Sequence, residues 1–127
     1  MRASHVLIGK EKYKLHELSV TENILKIAVD EAKKRKLKNI LKINIRMGVL
    51  SDLLPECINY YFKIISKGTE AENACIVIEK LPLKVKCIDC GGESEIAVNN
   101  FRCPICSSQN LKIIQGNEFY IDSMEVE

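Results

Sequence analysis

What this chain lacks narrows its function first. No stretch approaches the ~20 apolar residues of a membrane span. The only early apolar run, Val6-Leu7-Ile8, is far too short for the hydrophobic region of a signal peptide. The expectation is a cytoplasmic protein with no membrane partner. Charge of one sign is also missing: 19 Lys and Arg against 17 Asp and Glu leave a formal net charge of +2. No global field therefore points to nucleic acid. Histidine is scarce, with two in the chain. No Gly-rich phosphate loop of the Walker type and no nucleophile–base constellation can be read, so no enzyme is expected. Tryptophan is absent, and glutamine is rare beside abundant Lys and Glu, a balance that leans towards a heat-adapted source.

What is present is a chain of 127 residues. That suffices for one ordinary domain, or for a small domain carrying a smaller one that needs a metal or disulfides. Residues 1–14 are basic, show no sustained period and read as an appendage. Ser19 with Glu22 fits a capping box, and Val20, Ile24, Ile27, Ala28 and Ala32 follow helical spacing. A helix is predicted over about 20–36, closing on Lys33-Lys34-Arg35-Lys36 as a solvated last turn that complements the helix dipole. Leu41, Ile43, Ile45 and Met47 alternate with polar residues, which predicts a half-buried strand ending at Gly48. Pro55 suits the first turn of a second helix. Ile58, Tyr61, Phe62 and Ile65 form its apolar face, and Gly68 closes it. Residues 75–86 read as strand interrupted by Pro82, and 118–126 read as strand again. The expected order is β–α–β–α–β, then a cysteine insert, then β. The fold class is α/β or α+β: a small mixed sheet with two helices, plus an inserted zinc-ribbon-like domain with four cysteine ligands.

The six cysteines carry the strongest signal. In a reducing compartment, paired Cys-x-x-Cys motifs mean metal or redox chemistry, not disulfides. The spacing Cys87-x2-Cys90-x12-Cys103-x2-Cys106 can bring four thiolates to the corners of a tetrahedron. That suits structural Zn(II), and four ligands leave no open position on which to activate water. Gly91 provides a tight turn after the first knuckle, and Pro104 stiffens the second. Iron is the chemical rival, but Phe101 is the only aromatic between the knuckles to shield it. Cys57 and Cys75 stand apart and read as small buried hydrophobes.

At this point the chain resembles a known family. His16-Glu17-Leu18-Ser19-Val20, Gly48-x-Leu50-Ser51 with Pro55-Glu56, and Lys67-Gly68-Thr69 carry the resemblance. So do both knuckles and the closing Ile121-x-Ser123-Met124-Glu125-Val126-Glu127. Together they look like the HypA type of hydrogenase nickel-insertion accessory protein, over about residues 15–127. The resemblance implies a nickel metallochaperone for [NiFe]-hydrogenase maturation that works with a GTPase and docks on the hydrogenase large subunit, some members also serving urease. A second copy of the chain is a further candidate partner. It implies structural zinc at Cys87, Cys90, Cys103 and Cys106. It implies Ni(II), carried as cargo, at His16 and Glu17, held by a terminal amine, the two backbone nitrogens and the imidazole. Square-planar nitrogen donation suits Ni(II). Three segments are expected: an extension over 1–14, a nickel-binding α/β domain over 15–83 with 116–127, and a zinc-binding domain over 84–115.

The chain departs from the family at its start. The family begins Met-His-Glu, whereas here Leu15 takes the Met position behind fourteen further residues. An internal Leu15 offers an amide where the site needs an amine, so translation is expected to begin at Leu15, read as Met. A genuine extension in which His5 replaces the amine is the alternative. A zinc-ribbon module for nucleic acid, using the basic residues from Lys33 to Lys38, or for protein interaction is the rival function.

Overall fold

The computed structural model describes residues 10–127; the appendage over 1–9 and its His5 lie outside the described residues. The described chain runs α1 (Lys10–Lys34), β1 (Ile40–Gly48), α2 (Pro55–Ile65), β2 (Cys75–Leu81), β3 (Leu83–Cys87), β4 (Glu93–Ile96), β5 (Leu111–Gln115) and β6 (Phe119–Val126). It is an α+β fold: two helices and two three-stranded sheets, ordered β2-β1-β6 and β4-β3-β5. Among the described residues no strand precedes α1, so the expected opening strand is not found there.

The first helix starts earlier than its sequence signals suggested. Ser19 sits exposed well inside α1, so the Ser19–Glu22 capping box does not begin it. The cause is upstream composition. Lys, Glu and Leu dominate residues 10–18, all strong helix formers, and no glycine or proline stands between Gly9 and Gly48. The helix stops by backbone geometry instead of glycine. Lys36 adopts φ 58°, its N–H donates to Lys33 C=O at 3.2 Å, and Leu37 N–H donates to Ala32 C=O at 2.8 Å. This pair of bonds is a Schellman closure with lysine at the left-handed position. Lys33 and Lys34 face the negative end of the helix dipole.

The chain divides into two compact units. Of the described residues, the first comprises 10–45, 52–78 and 120–127; the second comprises 46–51 and 79–119. In the first, Val20, Ile24, Ala28 and Ala32 recur every fourth residue as one buried stripe of α1. Ile58 and Phe62 from α2, and Ile40, Ile43 and Ile45 from β1, complete its core with Leu53, Ala71 and Ile76. Antiparallel pairing of β1 with β6 is fixed by Glu127 N–H to Asn39 C=O at 3.1 Å and the Asn44–Ser123 side-chain bond at 3.0 Å. Lys42–Glu125 at 3.5 Å adds an exposed ion pair, a small term at a wet surface.

The second unit is built on β3. It pairs antiparallel with β4 (Leu83 opposite Ile96, Lys86 opposite Glu93) and with β5 (Cys87 opposite Leu111), with an irregularity at Lys84/Val85. Pro82 separates β2 from β3, as expected of a residue that cannot donate to a ladder. The 46–51 segment lies against this sheet's ends: Leu50 N–H donates to Gly116 C=O at 2.9 Å and Val49 N–H to Leu81 C=O at 2.9 Å. Gly48 is required there, because a Cβ would lie 1.9 Å from the Gly116 carbonyl oxygen. Apart from cysteines, the buried apolar residues of this unit are Met47, Leu83 and Val85. That is too small a core to hold the 47 residues of this unit unaided.

Candidate metal centres

The four knuckle cysteines converge. Their sulfurs all lie within 4.8 Å of one another. Cys87 Sγ is 3.5 Å from Cys106 Sγ, and Cys90 Sγ is 3.7 Å from Cys103 Sγ. A tetrahedron with metal–sulfur bonds of about 2.3 Å has sulfur–sulfur edges of about 3.8 Å. The spacing therefore fits one tetrahedral ion, and the donor set is compatible with zinc.

The two knuckles share one backbone design. Cys87 N–H donates to Gly92 C=O (2.9 Å), as Cys103 N–H donates to Ser108 C=O (2.8 Å). Gly91 N–H returns to Cys87 C=O, as Ser107 N–H returns to Cys103 C=O, both at 2.9 Å. The residue that closes each turn is left-handed, Gly91 at φ 77° and Ser107 at φ 66°. In this conformation the turn's N–H groups face sulfur: Cys90 N–H reaches Cys87 Sγ and Ile105 N–H reaches Cys103 Sγ, both at 3.4 Å. Those N–H groups favour thiolate. The backbone N–H of Cys106, with that of Ile105, holds the Cys103 thiol down to about 7. Cys106 receives the Ser108 N–H, which lowers it, yet the neighbouring Cys87 sulfur, burial and the other two sulfurs push it up to about 12. Four sulfurs so close cannot all ionise without a cation, so metal binding displaces protons from the cluster.

A polar clasp joins the knuckles from outside. Ser108 Oγ donates to Asp89 Oδ2 at 2.5 Å, Asn110 N–H donates to Ser108 Oγ at 3.0 Å, and Ile88 N–H donates to Asn110 C=O at 2.9 Å. Sequence reasoning found Gly91 but missed Ser107 and this clasp. Aligning the two knuckles on their cysteines puts Ser107 opposite Gly91, which was the available signal. Cys57 is half-buried on α2 and Cys75 is exposed at the start of β2, so neither is the fully buried hydrophobe expected. A helix surface and a strand end left them partly in water.

His16 and Glu17 lie on α1, in the first unit, whereas the four knuckle cysteines belong to the second. His16 is half-buried. The Glu17 side chain, with 0% exposure, was not expected inside the core. Its Oε2 accepts the N–H of Leu54 at 2.5 Å, and Leu54 is the N-cap residue of α2, whose own side chain makes no capping bond. A carboxylate from α1 thus caps the second helix at its positive end. Oε1 has no hydrogen-bond partner among the described residues. Burial raises the Glu17 carboxyl above its ordinary value; the Leu54 N–H opposes this, and the Asp52 and Glu56 carboxylates add to it. The backbone N–H groups of His16 and Glu17 are interior to α1, where each points at the carbonyl four residues earlier.

The family described as hydrogenase/urease nickel incorporation, metallochaperone, HypA, matches residues 15–126. The chain belongs to the HypA family. It is therefore a metallochaperone of hydrogenase/urease nickel incorporation, not an enzyme. Among curated HypA relatives, the hydrogenase maturation factor HypA of Caldanaerobacter subterraneus subsp. tengcongensis is 40% identical over 114 residues, covering 89% of this chain and all of that protein. The HypA of Aquifex aeolicus is 37% identical over 113 residues, covering 89% of this chain and 98% of that one. The fold agrees with solved HypA structures. The Ni metallochaperone HypA from Helicobacter pylori superposes with a TM-score of 0.62 at 24% identity, over 87% of this chain and 96% of that one. A second HypA solution structure gives 0.69 at 24% identity, over 89% and 97%. No helix of the described residues is long and apolar enough to cross a membrane.

Proposed function

We propose that this HypA-family chain carries Ni(II) at His16 and Glu17 and delivers it, with a maturation GTPase, to the large subunit of [NiFe]-hydrogenase. In this reading zinc sits at Cys87, Cys90, Cys103 and Cys106 as a structural ion, residues 84–115 form its domain, and 15–83 with 116–127 form the nickel-binding domain. The carrier works in the cytoplasm, and a second copy of the chain is a candidate partner. One observation carries the reading: the family match opens at residue 15, directly before the His16-Glu17 pair, and runs on through both knuckles. The chain has no phosphate loop of its own, so nucleotide energy must come from the GTPase.

The planar nickel site has a strict requirement. It needs the His16 and Glu17 amide nitrogens free of hydrogen-bonded helix, and a terminal amine beside them. An amine with a pKa near ~8 frees its lone pair readily, whereas a peptide nitrogen does not. Inside α1 both amides are committed to the helix ladder. The competent form therefore has its amine at the position of Leu15. Nickel titration compares the full chain with one beginning Met-His16-Glu17. The shorter chain should bind Ni(II) much more tightly, with the absorption of a square-planar d8 ion, and His16→Ala in that chain should abolish tight binding while leaving zinc content unchanged. Equal affinities and spectra for the two chains would refute a terminal-amine site here.

A further inference from the structure

The four cysteines of the second unit are not equally exposed. Cys87 and Cys103, the first cysteine of each knuckle, are 1% and 2% exposed, whereas Cys90 and Cys106, the second of each, are open to solvent. Hydrogen bonding divides the same two pairs: two backbone N–H groups reach the sulfur of each buried cysteine (Cys90 and Asp89 at Cys87, Cys106 and Ile105 at Cys103), and one reaches that of each exposed cysteine (Gly92 at Cys90, Ser108 at Cys106). Exposure decides which residues a reagent meets first. The reason is position. Cys87 ends β3, and the N–H groups of Cys87 and Cys103 are each tied back across their knuckle, to Gly92 C=O and Ser108 C=O, whereas Cys90 and Cys106 stand at the exposed end of each turn.

We propose that Cys90 and Cys106 are a modification site: one solvent-exposed cysteine from each knuckle through which a peroxide or a carbon electrophile opens the metal centre. Two sulfur–sulfur contacts point to the product of peroxide attack. The sulfur of Cys106 is 3.5 Å from that of buried Cys87, and that of Cys90 is 3.7 Å from that of buried Cys103. Both of these contacts cross from one knuckle to the other. In the first step the Cys106 thiolate takes an OH group from hydrogen peroxide, whose O–O bond breaks, and hydroxide leaves; the product is a sulfenic acid. The Cys87 thiolate then attacks that sulfur, a sulfur–sulfur bond forms, and a second hydroxide leaves. Two thiolates have lost two electrons and one peroxide has gained them. Both hydroxides take protons from solvent. The Cys90–Cys103 pair reacts in the same way. Each disulfide removes two of the ion's four donors, so the ion is released and the unit loses its staple. Carbon electrophiles stop at the first contact and alkylate Cys90 and Cys106. The inference uses only the four-sulfur centre and is independent of where nickel binds.

The test uses the full metal-loaded chain carrying Cys57→Ser and Cys75→Ser, so that the only thiols are the four in question. Metal content is measured first, by elemental analysis. N-ethylmaleimide is then added for short times and the adducts are located by peptide mass spectrometry. Adducts on Cys90 and Cys106 should outnumber those on Cys87 and Cys103 by about tenfold or more, as expected when exposure governs thiolate reactivity. In parallel, hydrogen peroxide is added with a chromogenic chelator present. One metal equivalent should be released per chain, with Cys87–Cys106 and Cys90–Cys103 disulfides in the peptide map. Even labelling of the four cysteines would overturn the proposal. So would disulfides confined within a knuckle, metal retained after sulfur oxidation, or a chain that carries no metal before treatment.

Discussion

A carboxylate with no exposed surface is expensive unless its partners hold it, and Glu17 has one strong partner in the Leu54 N–H and one oxygen without any among the described residues. Burial, reinforced by Asp52 and Glu56, makes the folded chain hold the Glu17 proton more tightly than the unfolded chain does. Below the unfolded carboxyl value both states are protonated and this contribution to stability is fully present. As pH rises through the folded value the buried group must ionise, and the contribution is lost. Glu17→Gln keeps an oxygen for Leu54 N–H but cannot ionise. Wild type should therefore hold its greatest advantage over Glu17→Gln in the acid range, and that advantage should fall as the pH rises through the folded-state value. Thermal melts of the two metal-free chains across a pH series read this directly; a Tm difference that stays flat sinks the account. Glu17→Ala, which leaves the cap N–H without an acceptor, should cost about 1–3 kcal/mol at any pH. No sequence pattern marks this residue. A glutamate beside a helix is ordinarily read as facing water, and only the approach of the α2 start to α1 buries it.

At the scale of elements, α1 is held by one stripe. Ile24 is buried in it and Ile27, one face away, is exposed. Ile24→Ala should cost about 2–5 kcal/mol, the usual range for emptying a core site, whereas Ile27→Ala should stay within about 0.5 kcal/mol. Denaturant melts at constant m-value distinguish them, and equal costs would mean the stripe is misassigned. Gly48 gives a second contrast. Gly48→Ala sets a Cβ against backbone that cannot turn aside, and should cost more than Gly68→Ala, where the Cβ meets open space and only the positive φ of 81° is strained. The same elements show what could be read beforehand. β1, α2 and the break at Pro82 were legible because alternation, an apolar helical face and a missing N–H are local properties. The start of α1 was not, because a valid capping signal at Ser19 competed with strong helix formers ahead of it. β4 and β5 were not, because Glu93–Ile96 and Leu111–Gln115 are short and carry no alternation that would place them. Each becomes a strand by pairing with β3, a non-local cause.

On the scale of the whole chain, the two units differ in what holds them. The first owns a continuous apolar core drawn from both helices and β1. The second owns three buried apolar side chains apart from its cysteines, and closes its turns around four sulfurs. In a unit so small, the free energy of metal binding is folding free energy. Because the chain crosses between units at 45/46, 51/52, 78/79 and 119/120, unfolding of the second need not sever the first. Its helices and the Ile40–Ile45 half of β1 keep their own partners. Metal removal should therefore be local. With a strong chelator present, or with Cys87→Ala, backbone amides of β3, β4 and β5 should lose their protection against hydrogen exchange. Those around Ile24, Ile43, Ile58 and Phe62 should keep most of theirs. Cys57→Ala, outside the cluster, should leave metal content and exchange in the second unit unchanged. Added zinc should restore protection in the wild-type chain and not in Cys87→Ala. If the chelated chain instead lost protection throughout in one step, the two units would be a single cooperative structure, and the metal would be holding the helices as well as the knuckles.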